Sequence, residues 1–196
     1  MTFILTHWPL TIVCAAMILA AVIDGWKLKV PNWLTFPLIL SGWLLGLLNN
    51  FGLLEAAGFE GGIGAALAGT ALGFALLLPV YSIGGMGAGD VKMQMGFGSW
   101  IGAYYGYKDG MPIIWWAFVF AAIIGGVIAL GMILARGKWR QNLANTRDIL
   151  GDLLRGAGQA AENAGKRKPR MHLLPYGIPL CIGFVGYVEF VLRSQG

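Results

Sequence analysis

Charged residues are scarce in this sequence. They make up 12% of its 196 residues, whereas about 25% is usual in soluble globular proteins. Hydrophobic residues reach 57% instead, in recurring runs of roughly 20 residues that are long enough to cross the hydrocarbon core of a bilayer. The first ten residues, MTFILTHWPL, contain no basic residue, so we expect a retained helix rather than a cleaved signal peptide. The composition therefore excludes an ordinary soluble domain and predicts an integral membrane protein.

Cysteine and histidine are almost absent as well. Cys14 and Cys181 lie far apart and form no CxxC pair, and the two histidines, His7 and His172, are equally separated. Zinc sites and disulfide frameworks need clustered ligands at short spacings. We therefore expect buried packing roles for the two cysteines, no metal site and no cofactor.

The apolar runs predict an all-α fold, with six transmembrane helices in a single membrane-embedded domain over residues 1–196. The approximate bounds of these spans are 8–24, 32–49, 62–82, 90–107, 111–135 and 172–192. In this arrangement, twelve of the 14 lysines and arginines fall on one side of the membrane. The positive-inside rule then places that side in the cytoplasm and both chain termini outside.

Segment 136–171, between predicted spans five and six, carries nine of these basic residues. Its stretch KWRQNLANTRDILGDLLRG gathers apolar residues on one face of a helix, which predicts an amphipathic helix lying on anionic lipids. A positive-inside anchor is the simpler interpretation of this segment, and a specific partner site is the alternative. We expect no nucleic-acid partner, and the sequence leaves the possibility of a homo-oligomer open.

Two aspartates stand at the cytoplasmic ends of predicted spans: Asp24 in AVIDGWKLKVPNW and Asp90 in GGMGAGDVKM. Acids at membrane depth are costly, so a functional role is the default hypothesis for both. Asp90 could instead cap the start of its helix. Asp24 ends a helix, where the dipole is unfavourable, and pairing with Lys27 or Lys29 would stabilise by at most ~1 kcal/mol. Asp24 is therefore the stronger functional clue.

Glycine is concentrated beside Asp90, at Gly84, Gly85, Gly87 and Gly89. Glycines permit unusual backbone conformations and allow another chain to approach closely. Such a backbone beside an acid suits an extended peptide laid against an active site.

The sequence GAGD at 87–90 matches the GxGD signature of intramembrane aspartyl proteases, and GGMGAGDVKM resembles the corresponding stretch of type IV prepilin peptidases. Asp24, the short basic loop GWKLKV and Pro31-Asn32 are similar to that family's first catalytic region. LLPYGIPLCIG at 173–183 resembles the Pro-Tyr/Phe-Gly segment that begins the family's last helix.

Two features concern the subtype. Bifunctional members carry an N-terminal cytoplasmic insert with paired CxxC motifs that supports N-methylation, and this chain has neither. It resembles the shorter, peptidase-only members associated with Flp/Tad pili, which implies no methyltransferase activity. Gly25-Trp26 departs from the more polar, arginine-containing stretch that the family often has there.

The resemblance implies that Asp24 and Asp90 are the catalytic pair of an endopeptidase that removes the basic leader from prepilins at the cytoplasmic face of the inner membrane. Two carboxyl groups that share a site do not readily both ionise, so one keeps a proton, and the two activate water between them. The helix dipoles favour Asp90 as the base and Asp24 as the acid. The resemblance also suggests substrate or loop contacts at Gly87, Gly89, Lys92, Pro31 and Asn32, although Lys92 could instead contact lipid phosphate.

Three other functions stay open at this point. A small transporter or proton relay could use the aspartates as carriers, although it would place them near the membrane midplane. A non-catalytic pilus-assembly subunit would tolerate the loss of both. A presenilin-like protease would share GxGD, but Pro31-Asn32 and Pro175-Tyr176-Gly177 favour the prepilin type.

Overall fold

The computed structural model describes residues 8–27, 29–82, 86–135 and 177–194, and this part of the chain is all-α, as predicted. Its elements are α1 (Trp8–Lys27), α2 (Asn32–Asn50), a 3₁₀ turn (Glu55–Ala57), α3 (Ile63–Ser82), α4 (Ala88–Ala135) and α5 (Gly177–Ser194). The predicted amphipathic segment 136–171 lies outside the described residues.

Three of the described helices are long and apolar enough to cross a membrane. They comprise Trp8–Lys27, Ile63–Ser82 and a 44-residue stretch of α4, Ala88–Gly131. A shorter apolar helix, Gly177–Phe190, forms most of α5. The chain is thus a helical membrane protein, and the count of six spans stays a prediction.

The long helix α4 is broken at a single residue, Gly106. Its backbone angles, φ 71° and ψ −161°, lie in a region that is essentially open to glycine alone. A Cβ placed on Gly110 would lie 3.1 Å from the carbonyl oxygen of Ile101, so the second arm of α4 (107–135) folds back against the first arm (88–105). The predicted break between spans four and five is confirmed, but it lies at Gly106 rather than at 108–110, because Lys108 and Asp109 are helical and the glycine conformation makes the reversal.

The reversal at Gly106 is stabilised by hydrogen bonds from the connection before α3. The amide of Glu60 donates to the carbonyl of Tyr104 at 2.8 Å, and the amide of Gly61 donates to that of Ala103 at 3.1 Å. These bonds satisfy carbonyl groups at the end of the first arm, where the helix stops supplying partners.

The first arm of α4 packs against α3 with backbone nearly touching backbone. A Cβ on Gly98 would collide with the carbonyl oxygen of Gly69, and a Cβ on Gly102 with that of Ala65. Small residues at such contacts let apolar helices approach closely where no hydrophobic effect drives them together. The small residues Gly69 and Ala65 of α3 therefore form a close packing surface for α4.

Helices α2 and α5 complete the bundle around the first arm. Trp100 of α4 donates its indole N–H to the carbonyl of Leu38 in α2 at 2.9 Å. Phe97 of α4 stacks on Phe184 of α5, with ring centroids 4.5 Å apart. The first arm is thus the central element, in contact with α2, α3 and α5.

Replacing Gly98 with alanine is expected to lower the free energy of unfolding by about 1–3 kcal/mol, because the new methyl group overlaps the Gly69 carbonyl. Gly126→Ala is the matched control, since a Cβ at Gly126 meets nothing within 4 Å. Thermal unfolding in detergent would show a lower midpoint for the first variant alone. Equal midpoints would contradict the close packing of α3 and α4.

Candidate active site

Asp24 lies in the last turn of α1, and its side chain is only 4% exposed. Its Oδ2 accepts a hydrogen bond of 3.0 Å from the amide of Gly177, the first residue of α5. The partner is therefore a backbone N–H from a distant part of the chain, whereas the sequence offered Lys27 or Lys29 only as a weak alternative.

This contact changes the electrostatic setting of Asp24. The carboxyl group lies at the unfavourable C-terminal end of α1 but also at the N-terminal end of α5, where the helix dipole favours negative charge. Asp90 lies at the N-terminal end of α4. Because both carboxyl groups lie at a helix N-terminus, the dipoles alone do not distinguish acid from base, and the assignment of Asp90 as the base stays a prediction.

Asp90 lies in the first turn of α4 and is also 4% exposed. Its Oδ2 accepts a hydrogen bond of 3.2 Å from the amide of Gly87, reaching back as the acidic residue of a capping box does. Asp90 is thus three residues inside the cap rather than the N-cap residue itself. Its Oδ1 is buried and has no hydrogen-bond partner in the described part of the chain, which ordinarily costs about 1–3 kcal/mol.

Gly89 allows the α1–α2 connection to lie against the start of α4. A Cβ on Gly89 would lie 2.9 Å from the Cβ of Val30 and 3.0 Å from its amide nitrogen. Val30 follows Asp24 by six residues. The two aspartates therefore meet at the same end of the bundle, where their carboxyl groups are close enough to interact electrostatically.

Three predicted loop contacts lie beside the pair. Pro31 occupies the N-cap position of α2 in an extended conformation. Lys92 donates from Nζ to Oδ1 of Asn32 at 2.9 Å, and its Nζ lies 4.6 Å from the ring centroid of Phe36. Lys92 and Asn32 thus join α4 to α2, while a role for these residues in substrate binding stays a prediction.

Two buried polar residues near this end of the bundle were missed from the sequence. Gln94, one turn after Asp90, has 0% exposure, and neither atom of its carboxamide finds a partner among the described residues. Thr35 of α2 is 1% exposed, and its Oγ1 likewise has no hydrogen-bond partner among the described residues. The available signal was a polar side chain within an apolar helix, since such residues face the bundle interior.

The Gly177 amide was also missed, although its segment was recognised. The sequence shows PYG at 175–177 but not the carboxylate that its last amide binds. Side-chain chemistry gives no signal for a backbone donor.

The described part of the chain holds no group of three or more His, Cys, Asp or Glu side chains that could bind a metal ion. The chemistry available here is that of two interacting carboxyl groups, each held through one oxygen by a backbone amide. Such a pair can share a proton and activate water.

Comparisons with known proteins point to one group. A sequence model of the type IV leader peptidase family matches residues 11–133, which include Asp24 and Asp90. The prepilin leader peptidase/N-methyltransferase of Aeromonas hydrophila is 30% identical over 121 residues, covering 58% of this chain and 36% of the relative. That of Dichelobacter nodosus is 33% identical over 123 residues, covering 59% and 37%. The match thus spans little more than a third of these relatives, and no solved structure matches.

Gly89→Ala is expected to push Val30 away from α4 and lower the free energy of unfolding by about 1–3 kcal/mol. Gly87→Ala is the control, because a Cβ there would lie 3.5 Å from Oδ2 of Asp90, an ordinary contact. It should cost only what alanine costs at a helix cap, about 0.5 kcal/mol. The measurement is thermal unfolding in detergent, and a larger loss for Gly87→Ala would refute the packing role of Gly89.

Proposed function

Because the chain belongs to the type IV leader peptidase family, we propose that it is a membrane aspartyl endopeptidase that removes the basic leader from type IV pilin-like precursors. The observation that carries the proposal is the meeting of Asp24 and Asp90, two buried acids from distant segments, at one end of the bundle. Both acids lie inside the segment that the family matches.

The proposed reaction uses the two carboxyl groups with one shared proton. The ionised group takes a proton from water as the water oxygen forms a bond to the scissile carbonyl carbon, and the protonated group donates its proton to the carbonyl oxygen. As the carbon–nitrogen bond then breaks, the leaving nitrogen receives a proton from the carboxyl group that gained one. A hydroxyl of the tetrahedral intermediate returns its proton to the other carboxyl group, which restores the pair with one shared proton. Proton transfer to and from positioned carboxyl groups carries the chemistry.

The backbone contacts support this reaction. The amides of Gly177 and Gly87 each hold one oxygen of an aspartate, which fixes the carboxyl orientation. The second oxygen of Asp90 has no partner among the described residues, so it is available to a water molecule or a substrate. Preorganised groups of this kind need little rearrangement during reaction.

We propose six membrane spans, with the two arms of α4 counted separately. The dyad then lies at the cytoplasmic face, and both chain termini lie outside, in accordance with the basic connections. Trp26 and Trp33, exposed by 84% and 65% at the same end of the bundle, suit a membrane interface. Segment 136–171 would lie on the same face and bind anionic lipid.

The subtype follows from an internal connection. Only residues 28–31 separate α1 from α2, and this stretch contains no CxxC. The relatives above are described as N-methyltransferases as well as peptidases. We propose peptidase activity alone for this chain, acting on a Flp-type precursor.

Asp24→Asn and Asp90→Asn are each expected to reduce cleavage by at least about a hundredfold, because an amide cannot exchange the shared proton. Asp109→Asn, which changes an exposed acid of α4, is the control and should cleave normally. The measurement is the mass shift of a co-expressed Flp-type precursor, at equal membrane levels of each variant. Cleavage that survives either dyad substitution would remove that aspartate from catalysis.

Cysteines placed at Lys29 and Lys108, both exposed, test the proposed orientation in a background with Cys14 and Cys181 replaced by alanine. A membrane-impermeant maleimide should label Lys108→Cys in intact spheroplasts but label Lys29→Cys only after lysis. The reverse pattern would place the dyad outside and contradict the proposed site of cleavage.

A further inference from the structure

Gln94 is the buried polar group that the proposed reaction does not yet use. It lies one turn beyond Asp90 on α4, about 6 Å along the helix axis. Residues four apart lie on the same face of a helix, and the Cα–Cβ bond of each points back towards the helix N-terminus. This geometry allows the side chain of Gln94 to reach back towards the level of Asp90.

The stem of Gln94 is fixed by helix packing. A Cβ on Gly73 of α3 would lie 3.2 Å from Cγ of Gln94 and 2.7 Å from the backbone carbonyl oxygen of the same residue. The glycine thus leaves room for the glutamine stem at the α3–α4 contact. A stem held in this way limits the positions that the carboxamide can reach.

Three buried polar atoms in this region have no hydrogen-bond partner among the described residues: Oδ1 of Asp90 and both Oε1 and Nε2 of Gln94. Buried polar groups in folded proteins are nearly always hydrogen-bonded to protein or to ordered water. A buried water needs at least two polar partners, and these two side chains supply them.

We propose that Gln94 is a positioning residue that holds the attacking water against Oδ1 of Asp90. This proposal rests on the peptidase function proposed above. One hydrogen of the water is donated to Oδ1 of Asp90 and the other to Oε1 of Gln94, which directs a lone pair of the water oxygen towards the scissile carbonyl.

The reaction step is then balanced as follows. The water proton that is hydrogen-bonded to Asp90 is transferred to Oδ1 of that residue, and the water oxygen forms the new bond to the carbonyl carbon. The carbonyl oxygen takes the proton held by Asp24. Gln94 gains and loses no proton, so it acts through orientation. Because Gln94 lies one turn after Asp90 on the same helix, this arrangement makes Asp90 the base, which the helix dipoles alone do not decide.

The test is single-turnover cleavage of the Flp-type precursor by purified enzyme in detergent, with the rate constant measured at several precursor concentrations. Gln94→Met keeps the length of the side chain and removes its hydrogen-bonding atoms. Gln94→Asn keeps the carboxamide but withdraws it by one methylene group, so it provides a second variant should methionine impair folding. Tyr105→Phe is the matched control, because it removes another buried polar group of α4 that has no hydrogen-bond partner in the described part of the chain, 15 residues beyond Asp90.

Both Gln94 variants are expected to lower the maximal cleavage rate about ten- to a hundredfold without weakening the apparent affinity for the precursor. Tyr105→Phe should retain the wild-type rate. Thermal unfolding midpoints for the glutamine variants should stay close to that of the wild type.

Three outcomes would overturn the proposal. Wild-type rates in both glutamine variants would show that Gln94 serves packing alone. A loss confined to precursor affinity would make Gln94 a substrate contact. A wild type that cleaves no precursor would reject the peptidase function, and the water-positioning role with it. If the wild type is active and Asp90→Asn is inactive, the peptidase function stands, and a wild-type rate in the Gln94 variants would reject the water-positioning role alone.

Discussion

The structure depends on the burial of two carboxyl groups at one end of an apolar helix bundle. Isolated acids are costly in such surroundings, so each must be held by polar partners. Here the partners are backbone amides: Gly177 at the start of α5 binds Asp24, and Gly87 at the start of α4 binds Asp90. Helix N-termini supply such donors without a basic side chain, which would bring a charge of its own into the site.

This arrangement requires the helices to approach one another very closely. Gly89 lets the α1–α2 connection pack against the start of α4. Further along α4, Gly98 lets α3 pack closely through Gly69. Gly106 returns α4 on itself and so brings the second arm beside the first. Each glycine serves packing, and together they hold the segments that carry the two aspartates. The glycines beside Asp90 were interpreted from the sequence as room for a substrate, and for Gly89 the neighbour observed is Val30.

The same packing explains why one oxygen of the Asp90 carboxylate has a structural role and the other does not. Oδ2 caps the helix, while Oδ1 lies buried one turn above a glutamine whose carboxamide is also without a partner in the described residues. A capping role alone would place the acid at the helix surface with both oxygens satisfied. The buried surplus of polar atoms on this face of α4 is typical of a site that receives a polar ligand.

The sequence by itself determined the class, most helix positions and the two acids. Long apolar runs allow little else than helices in a membrane, and Asp24 and Asp90 stand out because acids are rare there. From the sequence the turn within α4 was expected at 108–110, because the φ value that makes Gly106 the reversal cannot be read from composition. Only the tertiary structure decided that Asp24 faces the start of α5 and that the carboxamide of Gln94 has no partner among the residues that the structure describes. Both depend on which backbone and side-chain atoms meet across helices that are distant in sequence, and such contacts cannot be predicted from hydropathy.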